Sequence, residues 1–141
     1  MIIQPYLFFE GRCEEAITFY KNAVEAEVLM LMRYKDNPEP SSPDMVPPGS
    51  DDKIMHASLR IGESVVMASD GCCGGQPGFQ GVSLSLSVAT EAQAKHYFTA
   101  LAEGGQVQMP LSKTFWSPSF GMLSDRFGVS WMINVEDPNQ A

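Results

Sequence analysis

The chain has 141 residues, 44% of them hydrophobic and 18% charged, enough for one compact domain with its own core. Nine Lys and Arg against seventeen Asp and Glu leave a net charge of −8, which repels phosphate backbones and anionic lipid and so disfavours nucleic-acid and membrane partners. No apolar run approaches the roughly 20 residues of a membrane helix, and three cysteines, two of them adjacent, make no disulfide framework, as suits a reducing cytoplasm.

Residues 2–9 are apolar, rich in β formers and closed by Glu10-Gly11, which predicts a first strand. No basic region precedes them, so they do not read as a signal peptide. From Cys13 the period changes: Ala16, Ile17, Phe19, Tyr20, Ala23 and Val24 recur at three-to-four spacing, the pattern of an amphipathic helix. Glu14 and Glu15 stand in its first turn, where the helix dipole favours acids. Residues 28–34 read as a second strand. Residues 36–53 hold five of the ten prolines, which remove backbone donors, so this stretch is a loop, either functional or a tolerated insertion. Residues 54–61 and 64–69 are strands around a Gly62-Glu63 turn. A connector rich in glycine follows, and within it Cys72-Cys73 lacks the spacing of a metal or redox pair.

The order then repeats. Residues 82–88 form a strand, and 91–103 a helix with Ala94, Tyr97, Phe98 and Leu101 on its apolar stripe, ended by Gly104-Gly105. Residues 106–110 are a short strand, 111–118 a loop, and 120–124 and 129–135 the last two strands. Ala16, Phe19 and Tyr20 correspond to Ala94, Tyr97 and Phe98 at one constant offset, and residues 55–69 correspond to 120–134 at a shorter one. The difference is the size expected if the proline-rich loop is an insertion. The chain is thus an internal duplication of a βαβββ module that could not bury its sheet alone. The expected organisation is residues 1–70, a linker at 71–80, and 81–141, together one domain.

Side chains alternate across a strand, so each strand assigns its own faces. Met55, Ala57, Leu59 and Ile61 belong under a helix, leaving His56, Ser58 and Arg60 opposite. Val82, Leu84, Leu86 and Val88 oppose Ser83, Ser85 and Ser87; Val129, Trp131, Ile133 and Val135 oppose Ser130, Met132 and Asn134. The polar faces either line a ligand cavity or simply meet water. His56 suits acid–base work or hydrogen bonding, or else a structural bond to a carbonyl. Arg60 is an anion clamp or a partner of Glu63 or Asp125. His96 lies off its helix's apolar stripe and is expected to be exposed. Asp125 reads as turn chemistry. Phe115 and Phe120 are expected in the core.

The segments PYLFFEGRCEEAITFY, IMHASLRIGESVVMASD and FWSPSFGMLSDRFGVSWMIN resemble the opening, middle and closing segments of the PhnB-like branch of the vicinal oxygen chelate (glyoxalase/bleomycin-resistance/dioxygenase) superfamily, and the resemblance covers essentially the whole chain. It implies an α+β fold in which two tandem βαβββ modules form a curved, cup-shaped mixed sheet with the helices outside. It also implies a homodimer, sometimes with exchanged modules. Trp116 stands at the branch's tryptophan position, on a loop that would edge the cup. In metal-dependent members each module supplies two ligands, one from its first strand and one from its last. Those positions carried over are Pro5, Ser83, Met67 and Met132, none of them a good donor for a divalent ion, so no metal or other cofactor is expected. Branch members have often carried the name 3-demethylubiquinone 3-methyltransferase, but no glycine-rich nucleotide loop follows a strand here. Two readings stand: a metal-free small-molecule binding protein, or an enzyme of the lyase, isomerase or dioxygenase type with a non-standard site. The candidate ligand-binding residues are His56, Ser58, Arg60, Met67, Ser83, Ser85, Trp116 and Met132.

Overall fold

The computed structural model describes residues 1–38, 48–71 and 77–137. The centre of the proline-rich loop and the Cys72-Cys73 pair with half of the expected linker lie outside the described residues. The chain divides into two compact units, Met1–Pro77 and Gly78–Ala141.

In the first unit, β1 (Tyr6–Phe8), α1 (Cys13–Ala23), β2 (Glu27–Arg33), a single 3-10 turn (Tyr34–Asp36), β3 (Ile54–Ile61) and β4 (Ser64–Ser69) follow in order. The sheet runs β1-β4-β3-β2, with β1 parallel to β4 and the other pairs antiparallel. Along α1, Cys13, Ala16, Ile17, Tyr20 and Ala23 are buried, and with Leu7, Phe9, Ala57, Leu59 and Ala68 they make the core. The first turn of α1 has no side-chain cap of its own. Asp70, just past β4 and fully buried, supplies the missing acceptor: its Oδ1 accepts from the N–H of Gly11 (2.9 Å) and Cys13 (2.8 Å). Its Oδ2 accepts from the N–H of Ile54 at 2.7 Å. One carboxylate thereby ties the helix start to the start of β3 and the end of β4.

In the second unit the order is β5 (Ser83–Val88), α2 (Glu91–Ala102), β6 (Gln106–Ser112), β7 (Phe120–Ser124) and β8 (Ser130–Val135), and the sheet runs β5-β8-β7-β6. Again the first strand is parallel to the last and the remaining pairs are antiparallel. Thr90 Oγ1 accepts from Gln93 N–H while Gln93 Oε1 accepts from Thr90 N–H, a reciprocal cap on α2. Gly104, at φ +78°, ends that helix in the left-handed region where glycine carries no steric cost. Ala94, Phe98 and Leu101 are buried. Gly121 of β7 leaves room for α2: a Cβ there would lie 2.8 Å from Phe98 Cε2.

The βαβββ order, twice over, agrees with the sequence expectation. Several details differ. The first strand is Tyr6–Phe8 and not 2–9, because only those residues pair with β4, and Ile2 and Ile3 are exposed. The second starts at Glu27 and gives way to the 3-10 turn at Tyr34. Strand β6 continues through Pro110 to Ser112; as an edge strand it tolerates the missing donor, with register shifts on either side of Met109. Val82 is exposed, and Phe115, expected in the core, is 88% exposed. The constant offset between residues 55–69 and 120–134 also fails by one residue at β7. Met67 faces Ser58 across β3, so the offset would place Leu123 opposite Met132; Met122 stands there instead. Ile61 and Ser64 pair around a two-residue turn, whereas Ser124 and Ser130 pair around a longer one built on Asp125, and the odd residue shifts the register.

Candidate ligand-binding faces

In the first unit, β1 pairs Tyr6 with Met67, β4 pairs Met67 with Ser58, and β3 pairs Ser58 with Met30. Paired residues share a face, so these four form one row across the sheet, opposite the buried Leu7, Ala57 and Ala68. His56 lies on this face two residues before Ser58, and its Nδ1 is 2.7 Å from the Tyr6 hydroxyl. The two rings are 5.5 Å apart, and the Phe8 ring stacks on Tyr6 at 4.9 Å. Burial pushes the Tyr6 phenol above its ordinary range, the Cys13 charge adding to the rise and a hydrogen bond with Ser69 opposing it. Which of the two groups donates in this bond depends on the imidazole tautomer.

Arg60 stands on the same face, at its exposed end, and its Nη2 donates to Glu27 Oε2 of β2 at 2.5 Å. Its partner is thus Glu27 and neither Glu63 nor Asp125. Asp125 is buried and does govern the turn. Its Oδ1 accepts from the N–H of Phe127 and Val129, and its Oδ2 accepts from Trp131 Nε1 at 2.9 Å. His96 is exposed, as expected.

In the second unit, Ser83, Ser85 and Ser87 of β5 face Ser130, Met132 and Asn134 of β8. Met132 continues the row to Met122 and Met109. Phe120 is buried, but its pairing with Asn134 places it on this face and not under α2. Trp116, 40% exposed, packs edge-on against Phe120 at 5.4 Å and against Phe115 at 4.8 Å.

The eight candidate residues therefore form two groups: His56, Ser58, Arg60 and Met67 in the first unit, and Ser83, Ser85, Met132 and the neighbouring Trp116 in the second. Tyr6 was missed, since the mostly apolar run of residues 2–9 gives no clear alternation to set its phase. The duplication does not set the phase either: the helix offset matches Ser85 with Leu7, whereas in the structure Met132 faces Ser85 and Met67 faces Tyr6. Pro5 is accordingly out of phase with this face, though its carbonyl accepts from Met67 N–H. The donors in the two rows are a phenol, a hydroxyl and two thioethers in one unit, a hydroxyl and three thioethers in the other. Among the described residues no three of His, Cys, Asp and Glu gather in one place. This donor set does not fit the four-ligand metal centre of the metal-dependent superfamily members.

A sequence-family profile described as 3-demethylubiquinone-9 3-methyltransferase matches residues 2–134. The chain belongs to that family. YjdN of Escherichia coli strain K12 is 36% identical over 99% of this chain and 100% of its own length. A crystal structure of protein PA1353 from Pseudomonas aeruginosa superposes with a TM-score of 0.82 at 44% identity, covering 96% of this chain and 98% of the other. A PhnB protein from Bacillus cereus, described as a putative 3-demethylubiquinone-9 3-methyltransferase, gives 0.78 at 29% identity, covering 96% and 99%. FosX, a fosfomycin resistance protein from Listeria monocytogenes, shares the fold at a TM-score of 0.64 and 9% identity, covering 98% and 94%. The chain is a PhnB-like member of the vicinal oxygen chelate superfamily with its α+β glyoxalase/bleomycin-resistance fold.

Proposed function

We propose that this PhnB-like protein is a metal-free small-molecule binding protein that holds its ligand on the strand faces turned away from the helices. The observation that carries the reading is the Tyr6–His56 hydrogen bond, 2.7 Å long, on a face otherwise lined by Met67, Ser58 and Met30. A soft apolar floor with one oriented polar pair is the composition of a binding site, and the thioethers conform to varied ligand shapes. The chemistry of the donor rows supports binding without a divalent ion. The acidic balance of the chain, −8, favours a cationic ligand over an anionic one.

A homodimer in a cytoplasmic setting completes the proposal. Leu29, Met30 and Leu31 on β2 and Val107 and Met109 on β6 are exposed apolar residues on edge strands, a pattern that a second copy would cover. No helix among the described residues is long and apolar enough to cross a membrane.

A second reading rests on the same pair. A hydroxyl hydrogen-bonded to an imidazole is also a proton-transfer unit, and an enzyme of the lyase, isomerase or dioxygenase type would use it as acid or base. The two readings part under a panel of small cationic and neutral metabolites followed by imidazole NMR of His56 and by product analysis. Binding that shifts the His56 ring signals, weakens tenfold or more in Tyr6→Phe and leaves every compound unchanged supports the binding protein. Turnover of any compound that vanishes in His56→Ala moves the enzyme to the front. Binding indifferent to both substitutions removes the site from either account.

A further inference from the structure

Among the described residues, one buried side-chain polar atom has no hydrogen-bond partner: Asn134 Oδ1. Buried carboxamide oxygens are almost always satisfied, because leaving an acceptor dry forfeits its water without compensation. Asn134 lies on β8 between Ser87 of β5 and Phe120 of β7, on the face turned away from α2. Phe120 in turn carries the Trp116 ring edge-on at 5.4 Å, and Met132 and Met122 form the next row. An unsatisfied acceptor, an indole 40% open to solvent and two thioethers thus meet in one unit.

We infer that Asn134 and Trp116 form a subsite for the N–H group of an organic cation, an amidinium or ammonium borne on a flat or apolar body. The carboxamide oxygen accepts from the ligand nitrogen, the indole face attracts its positive charge, and the methionines receive its carbon skeleton. A carboxylate has no hydrogen to offer Oδ1, and the charge of −8 opposes any anion further. The inference deepens the binding-protein reading and rests on it: it assigns the ligand's class and the side chain that selects it.

The test titrates the intact protein with benzamidine and, in parallel, with benzoate and benzyl alcohol of similar size, following the Trp116 indole and Asn134 carboxamide signals by ¹⁵N NMR and the affinity by calorimetry. Benzamidine shifting both groups, with benzoate silent, is the expected result. Asn134→Leu should then weaken benzamidine by tenfold or more, whereas Asn134→Asp, which keeps an acceptor and adds charge, should bind at least as tightly. Benzoate binding as well as benzamidine, unchanged affinity in Asn134→Leu, or failure of benzamidine to shift either group at millimolar concentration overturns the subsite. The His56 ring reports separately: if it responds to benzamidine while Trp116 and Asn134 do not, the subsite fails and the broader reading stands. If none of the three responds to any cationic compound, both fail.

Discussion

Asp70 Oδ1 accepts a hydrogen bond from the N–H of Cys13 at 2.8 Å, so a residue at the end of one strand caps a helix that begins more than fifty residues earlier in the chain. The same oxygen takes the Gly11 N–H, and its partner oxygen takes that of Ile54. Three backbone donors lose their acceptor if the carboxylate goes. Asp70→Ala should destabilise the protein by about 3 kcal/mol, the cost of leaving buried donors unpaired plus the lost cap. Asp70→Asn, which keeps one acceptor, should cost less. Urea unfolding followed by far-UV circular dichroism measures both, and an Ala variant within about 0.5 kcal/mol of wild type would show that water replaces the carboxylate.

Asp125 has the corresponding importance in the second unit, with one spectroscopic difference: its Oδ2 holds the indole N–H of the buried Trp131. Asp125→Ala should lower stability by roughly 2–3 kcal/mol and change the Trp131 emission in the folded state. Unaltered native fluorescence would mean the indole keeps another partner.

Gly121 is a packing requirement and not a turn residue. An added methyl would meet Phe98 Cε2 at 2.8 Å and the Met109 carbonyl at 3.0 Å. Gly121→Ala should therefore cost about 1–3 kcal/mol through overpacking. Phe98→Leu on the same background should restore part of the loss, because it removes the shortest of the three close contacts, the third being Leu111 Cδ2 at 3.1 Å. A double-mutant cycle with no coupling would contradict the packing assignment.

The raised Tyr6 phenol has a pH signature. Its folded value lies above its unfolded value, so between the two the folded state binds more protons, and stability falls as pH rises through that window. Below about pH 10 the contribution is fully present. Difference absorbance near 295 nm should show a late-ionising tyrosine component in wild type that is missing from Tyr6→Phe. A Tyr6→Phe titration that superposes on wild type counts against the burial.

At the acid end the sign reverses. The Glu14 carboxyl is held below its ordinary range by the hydrogen bond from Arg33, whose Nη2 lies 2.5 Å from Glu14 Oε2. Its contribution is present above the ordinary carboxylate value and is lost as pH falls through the lowered one. Glu14 is mostly exposed, so screening limits the effect to less than about 1 kcal/mol. Glu14→Gln should flatten the acid limb slightly at low salt and not at all in 1 M NaCl; an equal change at both salts would show a packing effect instead.

The fold was legible because the module order rests on strong local signals: the helix periods around Ala16 and Ala94, the glycines after α2, and the Ser/Leu alternation of β5. The face of His56 followed from alternation in β3, where Ala57, Leu59 and Ile61 are indeed buried. The partner of His56 was not legible, since the mostly apolar residues 2–9 show no clear alternation. The orphaned Asn134 oxygen was equally out of reach: alternation gives the face of a side chain but not whether its hydrogen bonds are met. Phe120 shows the same limit. Its size and apolarity suggested the core and it is buried, but its face was not legible: the one-residue register shift at the Asp125 turn sets it beside Trp116.

Native mass spectrometry with and without added Ni²⁺, Zn²⁺ and Mn²⁺ tests the central claim most directly. The account predicts an assembly of twice the 15.5 kDa chain mass that gains no ion after buffer exchange. One ion retained per chain and lost in His56→Ala would contradict it and place a metal where the Tyr6–His56 pair now stands.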